Sequence, residues 1–257
     1  MKIVFDFLKP SWLKLLFLVE LPAFVLIELF SRGSQVLERV SVFLFPLGLY
    51  YLAACGLIYP HQTGKKLGSW RTVLSAAALL LLLDQSLKVF IFKSLAVGQS
   101  IPLVPGNLHL AHAQNLYGSW LLQKLSWDFV GHGFLMVVVI LSLLVSVAAY
   151  RYYIHQVRRS LLADMAFVFI LAAFASAFVD IGVRGFTVDF IQLPGYVVAD
   201  LKDIYLWFGI ACLLAEMFDS PGAYWKMSPL EFFQSLVRMI RFQFQNEKSK
   251  ENTSFDQ

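Results

Sequence analysis

Charge is scarce in this sequence. Only 15% of its 257 residues are Asp, Glu, Lys or Arg, against about a quarter in an ordinary soluble domain. Cysteine is scarcer still. Cys55 and Cys212 both lie inside apolar runs, which excludes a disulfide scaffold and a cysteine-based zinc site. No Gly-x-Ser-x-Gly elbow and no phosphate-binding loop occurs. His109 and His112 lack the spacing and the acidic partner of a metalloprotease helix, so neither a metal nor a cofactor is expected. No basic stripe alternates with aromatics, so the net charge of +4 reads as loop charge and not as a nucleic-acid footprint. A cleavable leader is not evident either. Lys2, Lys9 and Lys14 precede an apolar run long enough to remain as an anchor. There is no internal repeat.

What fills the chain is hydrocarbon: 58% of the residues are hydrophobic, the composition of a polytopic membrane protein. About 20 helical residues cross a bilayer, and six runs approach that length: 12–31, 40–59, 72–92, 132–150, 161–181 and 203–219. The first holds Glu20, Pro22 and Glu28 and fits an interfacial helix as an alternative. With the N terminus in the cytoplasm, fourteen of the lysines and arginines fall inside and seven outside, as the positive-inside bias requires. Both termini are then cytoplasmic. Residues 227–244 carry Leu230, Phe233, Val237, Ile240 and Phe244 at three- and four-residue steps, the pattern of a basic amphipathic helix on the inner surface. Residues 246–257 are polar enough to stay disordered.

This topology gathers acids on one membrane face. Asp84 and Lys88 fall at the outer end of the third span, Asp180 at the outer end of the fifth, and Asp203 at the outer start of the sixth. Four aspartates, Asp180, Asp189, Asp200 and Asp203, lie within 24 residues. Ionised carboxylates beside hydrocarbon are costly, so such a cluster needs partners, raised pKa values or a function. Asp84 and Lys88 are four apart on one helix face and can pair; the ordinary alternative is an interfacial ion pair with a snorkelling lysine. Asn115 is placed to donate to a substrate carbonyl, or to cap a helix. Residues 93–131 form a loop too long for a plain connector. Ile101 to Gly106 reads as its turn and Asn107 to His112 as a short strand, which predicts an outer flap. Residues 185–200 read as two extended segments around Pro194-Gly195, and a two-residue connection would set Asp189 opposite Asp200. Two such carboxylates share a proton; one activates water while the other donates to a carbonyl. The alternative is helix capping by Asp200 and a solvated Asp189.

Taken in order, these pieces resemble signal peptidase II, the bacterial lipoprotein signal peptidase, over about residues 72–219. The family's aspartate and lysine four apart match Asp84 and Lys88. Its Asn-x-Gly-x-x-Phe matches Asn115 and, with an aromatic swap, Trp120, while Tyr117 replaces the glycine. Its Gly-Asn-x-x-Asp-Arg keeps only Asp180: Ser176-Ala177 replaces Gly-Asn, and Ile181 replaces the arginine. The next signature, Gly-(Phe/Tyr)-Val-Val-Asp-Phe-Ile, matches Gly185, Phe186, Val188, Asp189, Phe190 and Ile191 closely. Its Asn-x-Ala-Asp with a later glycine matches Asp203 and Gly209, with Asp200 in place of the asparagine.

The resemblance implies an all-α polytopic fold, with a four-helix membrane core and a small extracytoplasmic β-rich flap. Two extra N-terminal spans in 1–71 precede it and a basic tail in 220–257 follows. It implies a metal-free aspartyl endopeptidase of the bacterial inner membrane that removes signal peptides from lipid-modified prolipoproteins. The catalytic pair would be Asp189 and Asp203, with Asp84, Lys88, Asn115, Asp180 and Asp200 shaping the site; a second alignment makes Asp200 the second acid. Two other readings stand beside it. One is a homologue that binds lipopeptides or helices without cutting; the other, weighed against by the one-sided clustering of the acids, is a transporter or channel subunit.

Overall fold

A computed structural model describes residues 6–19, 44–116, 131–219, 234 and 237–242. Tyr117, Trp120, most of the expected amphipathic helix and parts of the first two expected spans lie outside the described residues. The helices are α1 (Trp12–Leu16), α2 (Leu44–Gln62), α3 (Trp70–Ser94), α4 (His132–Gln156), α5 (Leu161–Val179) and α6 (Leu201–Asp219). A π-turn, Asp180–Arg184, prolongs α5. The strands are β1 (Ser100–Val104), β2 (Leu108–Asn115), β3 (Thr187–Leu193) and β4 (Val197–Ala199).

Serines start two of the long helices. Ser69 and Ser160 each accept a backbone N–H three residues on, from Thr72 and Ala163, at 3.2 and 3.0 Å, satisfying donors that no earlier turn can. Among the described residues three helices are long and apolar enough to cross a membrane: Trp70–Ser94, His132–Gln156 and Leu161–Arg184 with its π-turn. Along α4, Phe134, Val137, Leu141, Leu144 and Val145 are all exposed, a surface that suits lipid and not water.

Helix α5 sits at the centre. On one side Leu162 and Ala166 meet Ala211, Cys212 and Ala215 of α6, with Leu13, Phe17, Ala54 and Ile58 from the N-terminal elements. On the other, Phe167 and Val168 pack with Val73, Ala77 and Tyr150, and the Tyr150 and Phe167 rings stack at 4.2 Å. Small side chains bring α5 and α6 into close approach, the usual device where no water drives helices together. Gly209 is the tightest point. A Cβ there would come within 2.6 Å of Ile170 Cγ1 and 3.2 Å of its backbone nitrogen. Gly209→Ala is expected to lower stability by about 1–3 kcal/mol through overpacking, measured as a lower unfolding midpoint in detergent.

The sheet is antiparallel in the order β1-β2-β3-β4, so the flap hairpin extends the strands that carry the Asp189 motif. Residues 101–104, expected in a turn, belong to β1, and only Pro105 to Asn107 turn. Both hairpins use the same device. Pro105-Gly106 and Pro194-Gly195 sit in i to i+3 turns closed by Asn107 N–H to Val104 O and Tyr196 N–H to Leu193 O, each 3.0 Å. The glycines adopt φ of 76° and 82°, as position i+2 of a type II turn demands.

The second hairpin corrects the expected register. Leu193 pairs with Val197 and Ile191 with Ala199, so the connection has three residues and the same register places Asp200 opposite Phe190. Asp189 and Asp200 do not face each other across the ladder. A type II turn splays strands that a two-residue hairpin would hold, and Tyr196 takes up the extra position.

Candidate active site

The aspartates converge where α3, the end of α5, β3 and the start of α6 meet. Lys88 is at the centre and is fully buried; it does not snorkel. Its Nζ lies 2.7 Å from Asp84, 2.6 Å from Asp180 and 2.6 Å from Asp200, and all four residues are 0% exposed. The i, i+4 spacing on α3 makes the first of these pairs; the π-turn and the hairpin deliver the other two. Ser176 donates to Asp84 and sits 3.2 Å from the Lys88 ammonium. Gln85 donates to Ser176 at 2.9 Å and to Asp180 at 3.1 Å.

The π-turn supplies a cation that the family pattern places elsewhere. Ile181 stands where an arginine is expected, yet Arg184 Nη1 reaches Asp180 Oδ1 at 2.7 Å and Gln85 Oε1 at 2.8 Å. A π-turn holds one residue more than an α-turn and often marks functional sites. Gly185 ends it at φ 74°, and its N–H bonds to Asp180 O at 3.1 Å. The motif glycine is needed for that backbone conformation. A guanidinium is therefore present on Asp180 despite the substitution at 181.

A second cluster adjoins the first. Asp189, Asp200 and Asp203 each offer a carboxylate oxygen, and the three lie within 4.8 Å of one another. Asn115 and Asp189 come from neighbouring strands: Asn115 pairs with Thr187, so Asp189 is its diagonal neighbour on the ladder. Asn115 Nδ2 donates to Asp189 Oδ2 at 3.0 Å. Asn115 is the last residue of β2. Asp200, by contrast, does cap α6, its Oδ1 accepting from Asp203 N–H at 3.1 Å. Asp203 has a side chain 33% exposed, whereas Asp189 is 3% exposed and its Oδ1 is buried without a hydrogen-bond partner.

Lys202 sits where the family pattern has alanine, and Asp200 where it has asparagine. The two departures pair with each other: Lys202 Nζ is 2.6 Å from Asp200 Oδ2 and 3.9 Å from Asp203 Oδ1. Two ammoniums thus converge on one Asp200 oxygen. Burial would push Asp200 up, but the Lys202 and Lys88 charges outweigh it and hold the carboxyl below its usual range. Asp189 goes the other way. Burial dominates, Lys202 offsets part of it, and the Asp200 and Asp203 charges add to it, leaving the carboxyl pushed up to about 8.

The protein's own cations already meet both acidic triads. Lys88 Nζ lies within 2.7 Å of each acid in the first and takes the place a metal ion would need. In the second, Lys202 Nζ is 2.6 Å from Asp200 and 3.9 Å from Asp203. The histidines are elsewhere: His112 is buried with Nδ1 2.7 Å from Leu95 O, and His109 pairs along β1 and β3.

Every site residue expected from the sequence comes together here, from Asp84 and Lys88 through Asn115 and Asp180 to Asp189, Asp200 and Asp203. Those that sequence reasoning missed are Arg184, Lys202, Gln85 and Ser176. Arg184 had one available signal, its four-residue spacing from Asp180. Ser176 counted only as a departure, and its hydroxyl now bridges Asp84 and Lys88.

A family description, "Signal peptidase (SPase) II", matches residues 76–219. The lipoprotein signal peptidase of Brevibacillus brevis is 28% identical over 145 residues, covering 55% of this chain and 91% of that protein. That of Staphylococcus carnosus is 30% identical over 146 residues, covering 55% and 87%. A solved bacterial membrane enzyme, 20% identical, superposes with a TM-score of 0.52 over 61% of this chain and 97% of its own. With more than half of its length matched, and the matched part containing every residue of the aspartate site, this multi-pass bacterial membrane protein belongs to the signal peptidase II family.

Proposed function

We propose that the protein is an aspartyl endopeptidase that removes signal peptides from lipid-modified prolipoproteins, with Asp189 and Asp203 as its catalytic pair. One observation carries this assignment: a buried carboxyl and a solvent-reached carboxyl face each other within 4.8 Å. Two hydrogen bonds of about 2.8 Å meeting at one water span that gap.

The asymmetry assigns the roles. Asp203, one-third exposed, is the base that takes a proton from the attacking water. Asp189, buried and pushed up to about 8, holds its proton at neutral pH and donates it to the scissile carbonyl as the tetrahedral oxyanion forms. On collapse the C–N bond breaks, the proton held by Asp203 passes to the leaving amine, and a hydroxyl of the intermediate returns its proton to Asp189 as the product carboxyl forms. Asn115 fixes Asp189 by its hydrogen bond, which leaves one Asp189 oxygen to face substrate. Asp200, rather than being the second acid, caps α6 and is neutralised by two ammoniums. The polar core around Lys88 supports these groups from behind.

The proposal includes an organisation. Residues 72–219 form the peptidase core of four spans, 1–71 and 220–257 are additions, and both termini lie in the cytoplasm. The sheet and the aspartates then face the extracytoplasmic side, where a lipidated substrate presents its cleavage site. The fourteen-to-seven distribution of lysine and arginine supports this orientation.

The test is a gel-shift assay of a diacylglyceryl-modified precursor with the purified protein, run across pH. Because Asp189 must be protonated to act as acid, kcat should fall as pH rises through about 8. The fall approaches about tenfold per unit beyond it, and the limb belongs to the coupled pair and not to one residue. A flat profile to pH 10 would remove Asp189 from the acid role, and no cleavage of any lipidated precursor would remove the peptidase reading.

A further inference from the structure

The opposite end of the helices holds a second charged centre that peptide cleavage does not use. The last turns of α2 and α6 and the first turn of α5 border an open cleft of about 430 Å³, lined by Lys65, Lys66, Arg158, Arg159, Ser160 and Asp219. The segments around it are tied down. Glu216, 2% exposed, accepts from Tyr153 at 2.5 Å, Arg158 Nε at 2.6 Å and Ser160 at 2.7 Å. Asp164 accepts from Tyr150 at 2.6 Å, Arg159 Nε at 3.1 Å and Leu67 N–H at 3.2 Å. Asp219 takes Arg158 Nη2 and His61 Nε2, both at 3.0 Å.

Among the described residues these bonds engage Asp164, Glu216 and Asp219 and still leave cationic donors over. Lys65 and Lys66 are exposed, and neither has an acidic partner among the described residues. Arg159 uses Nε on Asp164, while its Nη2 is buried without a hydrogen-bond partner. Ser160 holds the start of α5 in place, its hydroxyl accepting from Ala163 N–H and its carbonyl from Asp164 N–H. A cleft with exposed, acid-free lysines beside two arginines has the chemistry of a phosphate site. A carboxylate has fewer oxygens to satisfy so many donors. The depth fits as well. Trp70, exposed at the start of α3, marks the level of the polar interface, and basic pockets between helices at that level take lipid headgroups.

We propose that this cleft binds a phosphate-bearing anion, such as the headgroup of an acidic phospholipid, on the membrane face opposite the aspartates. The exposed lysines supply charge, and the neighbouring arginines supply direction. The site anchors the ends of α2, α5 and α6 at the bilayer surface and is independent of substrate cleavage.

The experiment uses the full-length protein released from mixed micelles of phosphatidylglycerol and phosphatidylcholine, with retained lipid counted by native mass spectrometry. Wild type should retain phosphatidylglycerol over phosphatidylcholine by about thirtyfold, from about 1 kcal/mol for each of two lysines. Lys65→Gln/Lys66→Gln, which leaves the Glu216 and Asp164 networks intact, should lose that preference without a change in unfolding midpoint. Lys93→Gln, exposed at the far end of α3, should keep it. A separate arm adds inorganic phosphate alone. Displacement of the lipid by millimolar phosphate supports a site for the bare anion, and failure to displace supports one that reads the whole lipid. Equal retention of the two lipids by wild type, an unchanged preference in the double variant, or an equal loss in Lys93→Gln would each overturn the proposal.

Discussion

Asp189→Asn and Asp203→Asn should each lower the rate of prolipoprotein cleavage by about 10²–10⁴-fold, the range for loss of a positioned acid or base. The two changes are near-isosteric. In the first variant the new amide oxygen would still accept from Asn115, and in the second the new side chain would remain at the edge of solvent, so both should fold. What each loses is a proton-transfer group. An amide in place of Asp203 cannot take a proton from water, and one in place of Asp189 cannot give a proton to the carbonyl. The double variant should be no worse than about the worse single variant, because residues that act on one transition state are not additive. Precursor and product are resolved on a gel, and single-turnover rates separate chemistry from binding. Cleavage by either single variant within a few-fold of wild type would exclude the pair.

The second large effect concerns stability. Lys88→Met removes the one ammonium shared by Asp84, Asp180 and Asp200. Methionine matches the length of lysine, so little packing is lost; what remains is buried negative charge. Asp180 keeps Arg184 and Asp200 keeps Lys202, but among the described residues Asp84 retains only neutral donors, from Ser176 and Gln85. Breaking a buried ion pair from one side costs about 3–5 kcal/mol, so the unfolding midpoint in detergent should fall sharply. Asp84→Asn/Lys88→Met should regain a large part of that loss, since the uncompensated charge is removed with its partner. If the double variant is no more stable than the single one, volume and not charge explains the loss.

Much of this site was legible in the sequence because membranes make charge conspicuous. In an apolar chain, Asp84, Lys88, Asp180, Asp189, Asp200 and Asp203 stand out singly, and the spacing of the apolar runs sends them to one face. The long helices were legible for the same reason: hydrocarbon thickness fixes their length. The backbone irregularities were not. Nothing in Asp180 to Arg184 announces that the helix widens there, so the guanidinium on Asp180 looked lost with Ile181. The Pro194-Gly195 turn was visible, but whether two or three residues connect its strands depends on packing, and that one residue decides what faces Asp189. Lys202 was hidden differently. Residues two apart do not share a helix face, and only the capping position of Asp200, outside the helix proper, lets the two side chains meet. The ordinary readings also had a share of truth, since Asp200 does cap α6.

The central claim is that at neutral pH one proton resides on the Asp189–Asp203 pair, held mainly by Asp189. Infrared titration of the carboxyl C=O band in lipid-reconstituted protein measures this directly. A protonated carboxyl should be present at pH 7, disappear as pH rises through about 8, and be missing from Asp189→Asn at every pH in that range. A pH 7 spectrum with no protonated carboxyl, or a band that persists unchanged in Asp189→Asn, would contradict it.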